Sequence, residues 1–170
     1  MPVVIMSVGL PGSGKTTYLK SLYKLSSNCS YLCADDVRAE IYGDASVQAD
    51  PARVWGEVHS RLQANLEIGK DVIVDGTLVK RADRRSLITK CLVRQDSIKP
   101  DDQVELICLH FTTPLEQCLR WNQSRERQVP EHAIHRMARQ MERTPPEKWE
   151  GFQGVIPVDS TKISLEKIRW

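Results

Sequence analysis

No apolar run in this 170-residue sequence is long enough to span a bilayer, and no basic leader precedes the first hydrophobic segment. Its five cysteines, at positions 29, 33, 91, 108 and 118, include no CxxC pair and no metal-ligand spacing. That pattern argues against a zinc module and against a disulfide scaffold, and it suits a reducing cytoplasm. Aromatic residues make up only 6% of the chain, and 24 basic residues nearly balance 22 acidic ones, leaving a net charge of +2. There is no sweeping basic field, so any surface for nucleic acid must be local. Repeats, low-complexity tracts and linkers are absent too, and the length is that of one domain, residues 1–170. No N-K-x-D element of the kind used by guanine-specific switches occurs.

What is present begins at residue 9. The stretch Gly9-Leu10-Pro11-Gly12-Ser13-Gly14-Lys15-Thr16-Thr17 fills every fixed position of G-x-x-x-x-G-K-[ST]. An apolar, β-branched run, Val3 to Val8, precedes it, and a helical pattern from Thr16 to Leu25 follows, with Leu19, Leu22, Tyr23 and Leu25 as its apolar face. Strand, glycine loop and helix in that order form an anion nest at a helix N-terminus. The expected ligand is a nucleoside triphosphate such as ATP. Gly9, Gly12, Ser13, Gly14, Lys15, Thr16 and Thr17 are its expected contacts, with Lys15 on the β- and γ-phosphates and the Thr16 hydroxyl on Mg²⁺.

Further strands are expected at 31–33, 72–74, 104–111 and 155–158. Helices are expected at 36–42, 51–68, 80–94, 114–126, 130–143 and 164–169. Pro51, Pro114 and Pro130 stand where helices begin. Alternating short strands and helices predict a three-layer α/β fold around a parallel, five-stranded sheet. The segment 114–143 is its expected helical lid. Cys33, Cys91 and Cys108 read as small core residues, and Trp149, Phe152 and Trp170 as core or edge packing.

Ligands of such sheets sit at the carboxyl ends of the strands, which makes the polar residues there the candidates. After the second strand come Asp35, Asp36, Val37 and Arg38. A carboxylate can deprotonate an attacking hydroxyl, and a guanidinium can grip a substrate phosphate. Asp35 is read as the base, and Asp36 as a helix cap. The third strand ends in Asp75-Gly76-Thr77, where an acid can orient metal-bound water or substrate. The D-x-D-G-T phosphatase motif is ruled out because Ile73 occupies the nucleophile's position. Lys80, Arg81, Arg84 and Arg85 read as a solvated basic face. Between the last two long helical patterns, Arg125 and then Arg127 are the arginines a lid would bring to a triphosphate. The four histidines suggest no role.

This combination resembles the 5′-OH polynucleotide kinases of bacteriophage RNA repair and related P-loop kinases. The matching pieces are the phosphate loop, Asp35-Asp36-Val37-Arg38, the strand-end Asp75, and Asn122-Gln123-Ser124-Arg125 leading to Val129-Pro130, over residues 1 to 143. One departure is Thr77-Leu78, where related chains often carry Thr-Asn. The resemblance implies a P-loop kinase fold and transfer from ATP to the 5′-OH end of single-stranded RNA or DNA, in end healing. It implies catalytic roles for Lys15, Asp35, Arg38 and Arg125: Asp35 as general base, Arg38 on the phosphate next to the acceptor hydroxyl, Arg125 on the donor phosphates. Val129 would pack against a nucleobase, with Asp75 and Thr77 also on the acceptor side, and 3′-end processing would reside elsewhere. Two other readings stay open: a kinase of a small-molecule hydroxyl, and an ATP-dependent switch.

Overall fold

The computed structural model describes residues 1–47, 49–93 and 104–163. Five strands form its centre: β1 (Val3–Val8), β2 (Cys29–Cys33), β3 (Asp71–Asp75), β4 (Glu105–Phe111) and β5 (Gly154–Val158). Six helices surround them: α1 (Lys15–Leu25), α2 (Ala34–Tyr42), α3 (Pro51–Glu67), α4 (Arg81–Val93), α5 (Leu115–Gln123) and α6 (Glu131–Arg143). The sheet order is β2-β3-β1-β4-β5, and every pairing is parallel. This is the expected α/β P-loop kinase fold with its parallel five-stranded sheet. The expected helix at 164–169 and Trp170 lie outside the described residues.

Both sheet faces are covered, so strand residues are apolar on either side. Val4, Met6, Val72 and Val74 face one layer, where Val54, Val58, Leu62 and Leu66 of α3 form a buried i, i+4 stripe. Ile5, Ile73, Leu109 and Phe111 face the other, against Leu19 and Leu22 of α1. Each fully buried aliphatic side chain contributes about 1.5–3 kcal/mol. Tyr23 and Leu25, expected on the same stripe, are exposed instead. Leu19 and Leu22 already fill the contact with the sheet, and Tyr23 leans on the Tyr31 ring at 5.8 Å. Cys91 and Cys108 are core residues as expected, Cys118 joins them, and Cys33 is only half-buried.

In the basic cluster that opens α4, Lys80 and Arg85 are exposed as expected, and Arg84 departs from the reading as a solvated face. Arg84 is fully buried. Its Nε and Nη2 donate to Glu150 at 2.8 and 2.7 Å, and its other bonds reach the carbonyls of Leu78, Val79, Thr144 and Pro145. The planar guanidinium thus ties the segment after β3 to the end of α6 and to the turn Lys148–Glu150. Arg81 lies 4.6 Å over the Trp149 ring, which is 64% exposed rather than in the core, while Phe152 is buried. Asp36 caps nothing: Cys33 holds the cap position of α2, and Asp36 lies in the first turn, where its charge favours the helix N-terminus.

Removing one partner of a buried pair leaves the other charge uncompensated, so Glu150→Ala is expected to cost about 3–5 kcal/mol. Urea unfolding measures it; a loss below about 1 kcal/mol would remove the pair from the fold's essential contacts. The double variant Arg84→Met/Glu150→Leu should recover much of the loss.

Candidate active site

The phosphate loop turns between the end of β1 and the start of α1. Gly12 and Gly14 sit at φ 76° and 86°, conformations open mainly to glycine. A Cβ at Gly12 would lie 2.3 Å from the Cys118 carbonyl, so the loop rests directly on α5. Gly9 lies behind the loop, where a Cβ would fall 2.6 Å from that of Phe111, and its amide donates to the Thr77 carbonyl at 3.0 Å. Lys15 is buried and folds back across the loop, its Nζ donating to the Leu10 carbonyl at 2.6 Å. Burial pulls its pKa down to about 8, with Asp75 partly opposing the shift.

Next to Lys15, the Thr16 hydroxyl donates to Asp75 Oδ2 at 2.7 Å, and the Tyr31 hydroxyl donates to the same oxygen. Burial and the Asp75 charge push the Tyr31 phenol well up, so it remains a donor. An exposed hydroxyl beside a buried carboxylate at the mouth of an anion nest suits Mg²⁺, which takes hard oxygen ligands and shares them with phosphates. Among the described residues no group of His, Cys, Asp and Glu could hold a metal unaided, so Thr16, Asp75 and the phosphates would hold it together. Asp75 is thus tied to Thr16 and Tyr31 beside the phosphate loop. Tyr31 escaped the sequence reading because a strand tyrosine carries no motif.

Opposite stands Asp35, in the first turn of α2. Arg38 Nη1 donates to its Oδ1, and Arg127 Nη1 lies 3.2 Å from Oδ2. Arg127, expected on the donor phosphates, is thus paired with Asp35. Arg125 is the arginine whose charge acts on Lys15. The chain bends between α5 and α6, and this bend gives two arginines that are close in sequence different partners. Asn122 fixes that bend: buried, it donates from Nδ2 to the Val129 carbonyl at 2.8 Å and accepts from the Val129 amide at 2.9 Å. Leu78, at the departure from Thr-Asn, is buried with φ 42° and still borders the cleft, where it offers no polar group.

One cleft of about 740 Å³ unites these groups, and every expected site residue except Gly9 lines it. Trp55, Trp121, Arg136 and Met137 line it as well, although no motif marks them. Trp121 reaches within 3.7 Å of where a Gly14 Cβ would be. After β5, the Ser160 hydroxyl donates to the Ser13 carbonyl at 2.7 Å, so the ends of all five strands contribute to this edge. A second hollow of about 400 Å³, lined by Met1, Asn28 and Asp71 among others, opens at the other ends of the strands and gathers no comparable groups.

Residues 4–144 match the family described as AAA domain, and the chain belongs to that family. Solved structures share its P-loop kinase fold. A chain of the Pnkp1/Rnl/Hen1 RNA repair complex aligns with TM-score 0.71 and 20% identity over 84% of this chain and 45% of that one. A fungal RNA kinase aligns at 0.66 and 15%, covering 96% and 76%, and a gluconokinase from Sinorhizobium meliloti 1021 at 0.59 and 17%, covering 98% and 87%. The chain spans less than half of the RNA repair chain it matches. These likenesses show the fold, and the glycine loop at the N-terminus of α1 is the part of it shaped for an anion. No helix among the described residues is long and apolar enough to cross a membrane.

Because Lys15 is held at a pKa of about 8 in the free protein, a fraction of it is neutral at mildly alkaline pH. An arriving triphosphate favours the charged form, so ATP binding near pH 8 should take up protons. Calorimetry in buffers of different ionisation enthalpy detects this uptake. It should vanish in Lys15→Arg, which stays charged; equal uptake in both proteins would contradict the assignment.

Proposed function

We propose that this protein transfers the γ-phosphate of ATP, or another nucleoside triphosphate, to the 5′-OH end of single-stranded RNA or DNA, as in nucleic-acid end healing. The observation that carries the reading is the meeting of Asp35 and Arg38 with Lys15 and Thr16 across one cleft. Hydrolysis alone needs no guanidinium beside the base; a hydroxyl flanked by a phosphate does. The RNA kinase and RNA repair neighbours add support by fold alone. The five free thiols suit a cytoplasmic enzyme.

In this reading the loop amides and Lys15 cradle the donor phosphates, and Arg125 offsets the charge developing on the transferred group. Asp35 accepts the acceptor's proton as its oxygen attacks the γ-phosphorus. Arg38 holds the phosphate beside that hydroxyl, and Val129 and Thr77 border the acceptor. Mg²⁺, when held by Thr16 and Asp75, neutralises the β- and γ-phosphates. The rest is positioning: two reactants fixed at one strand edge.

A small-molecule acceptor is the second reading, favoured by the gluconokinase, which matches nearly the whole of both chains. Incubation with γ-labelled ATP and 5′-OH oligonucleotides of both sugars, against a panel of metabolites, separates the two. Labelled strands are expected; label only in a metabolite would overturn the reading.

Asp35→Ala is expected to lower transfer by about 10²–10⁴-fold while leaving ATP affinity nearly unchanged. Full turnover in that variant would move the base elsewhere, with Asp75 next in line. Lys15→Ala should lose transfer and weaken ATP binding together.

A further inference from the structure

The two arginines of the α5–α6 connection have different partners: the charge of Arg125 acts on Lys15, and Arg127 pairs with Asp35. Arg127 holds one oxygen of Asp35 while Arg38 holds the other. A base that must take a proton from a hydroxyl has to present an oxygen to it, and here a guanidinium competes for each of the two, with Asp35 still half-exposed. The Arg127 pair is loose: its side chains are 37% and 50% exposed, against 14% for Arg38. A solvated pair of this kind exchanges readily for a better partner. A phosphate, with its several acceptor oxygens and bidentate fit to arginine, is such a partner.

We propose that Arg127 makes the reaction answer to an anionic acceptor. Without one, it engages Asp35; a phosphate beside the acceptor hydroxyl draws it away and frees the carboxylate for the hydroxyl proton. This rests on the polynucleotide kinase reading, whose acceptor hydroxyl already has a phosphate beside it, and assigns Arg127 the task of responding to that phosphate. In the productive step the acceptor oxygen bonds to the γ-phosphorus. The bond from that phosphorus to the β–γ bridging oxygen breaks, ADP leaves with the electron pair, and the proton passes to Asp35. Water entering the same step would give hydrolysis, and Arg127 on Asp35 competes with water for the base. A free nucleoside or neutral polyol lacks the group that competes for Arg127.

The test compares wild type, Arg127→Ala and Arg127→Lys in two assays: ATP hydrolysis without acceptor, and transfer to a nucleoside 3′-monophosphate against the unphosphorylated nucleoside. In Arg127→Ala, acceptor-free hydrolysis should rise at least about fivefold. The preference in kcat/KM for the phosphorylated acceptor should fall about tenfold, and Arg127→Lys should restore part of both. Wild-type hydrolysis and preference retained in Arg127→Ala would overturn the proposal. If the wild-type protein phosphorylates neither nucleoside, the nucleic-acid reading falls. Hydrolysis then decides the Arg127 gate alone: a rise in Arg127→Ala upholds it, and an unchanged rate overturns it.

Discussion

Parallel pairing of every strand is the constraint from which the rest of the molecule follows. With β1 at the centre between β3 and β4, the chain leaves all five strands at one edge. The phosphate loop, Asp35, Asp75 and Ser160 each lie at or just beyond a strand's end, so they share that edge without any long-range design of their own. Register contributes the finer placement: Met6 pairs with Val74, and Cys33 with Asp75. A one-residue slip of β3 would carry Asp75 to the opposite face and separate it from Thr16.

The second half of the cleft depends on a helical hairpin rather than on the sheet. Helices α5 and α6 pack around Leu10, Cys118, Ile134 and Ala138. This cluster includes a residue of the phosphate loop itself, and Gly12 lies against the Cys118 carbonyl. The hairpin is therefore packed directly against the phosphate loop. Through Arg127 it reaches Asp35 as well. Arg84 adds a third tie at the far end, where the carbonyls of Thr144 and Pro145 meet the segment after β3. The α5–α6 hairpin is thus tied to the phosphate loop at one end and to the segment after β3 at the other.

The legible parts of the fold were those whose cause is local. Periodicity placed the five strands, and the glycine spacing of residues 9–16 placed the donor loop. Asp35 and Asp75 were legible because a carboxylate at the end of an apolar strand gains nothing from packing and is suited to a ligand instead. What escaped was set by partners remote in sequence. Arg84 reads as one more surface charge, yet its partner Glu150 is 66 residues away. Arg127 pairs with Asp35 from the other half of the chain, and Tyr31 donates to Asp75 across adjacent strands. The exposed Tyr23 fails for a related reason: a helical stripe tells which face is buried, not how wide the contact is. No motif marks Trp55 or Arg136, and only their place along the cleft draws attention to them.

Donor and acceptor meeting between Lys15 and Asp35 is the central claim. A crystal structure with a non-hydrolysable ATP analogue, Mg²⁺ and a 5′-OH oligonucleotide examines it most directly. The 5′-oxygen should be hydrogen-bonded to Asp35 and about 3–3.5 Å from the γ-phosphorus, with Lys15 on the β- and γ-phosphates. An acceptor bound outside the cleft, or Asp35 turned away from the γ-phosphate, would contradict it.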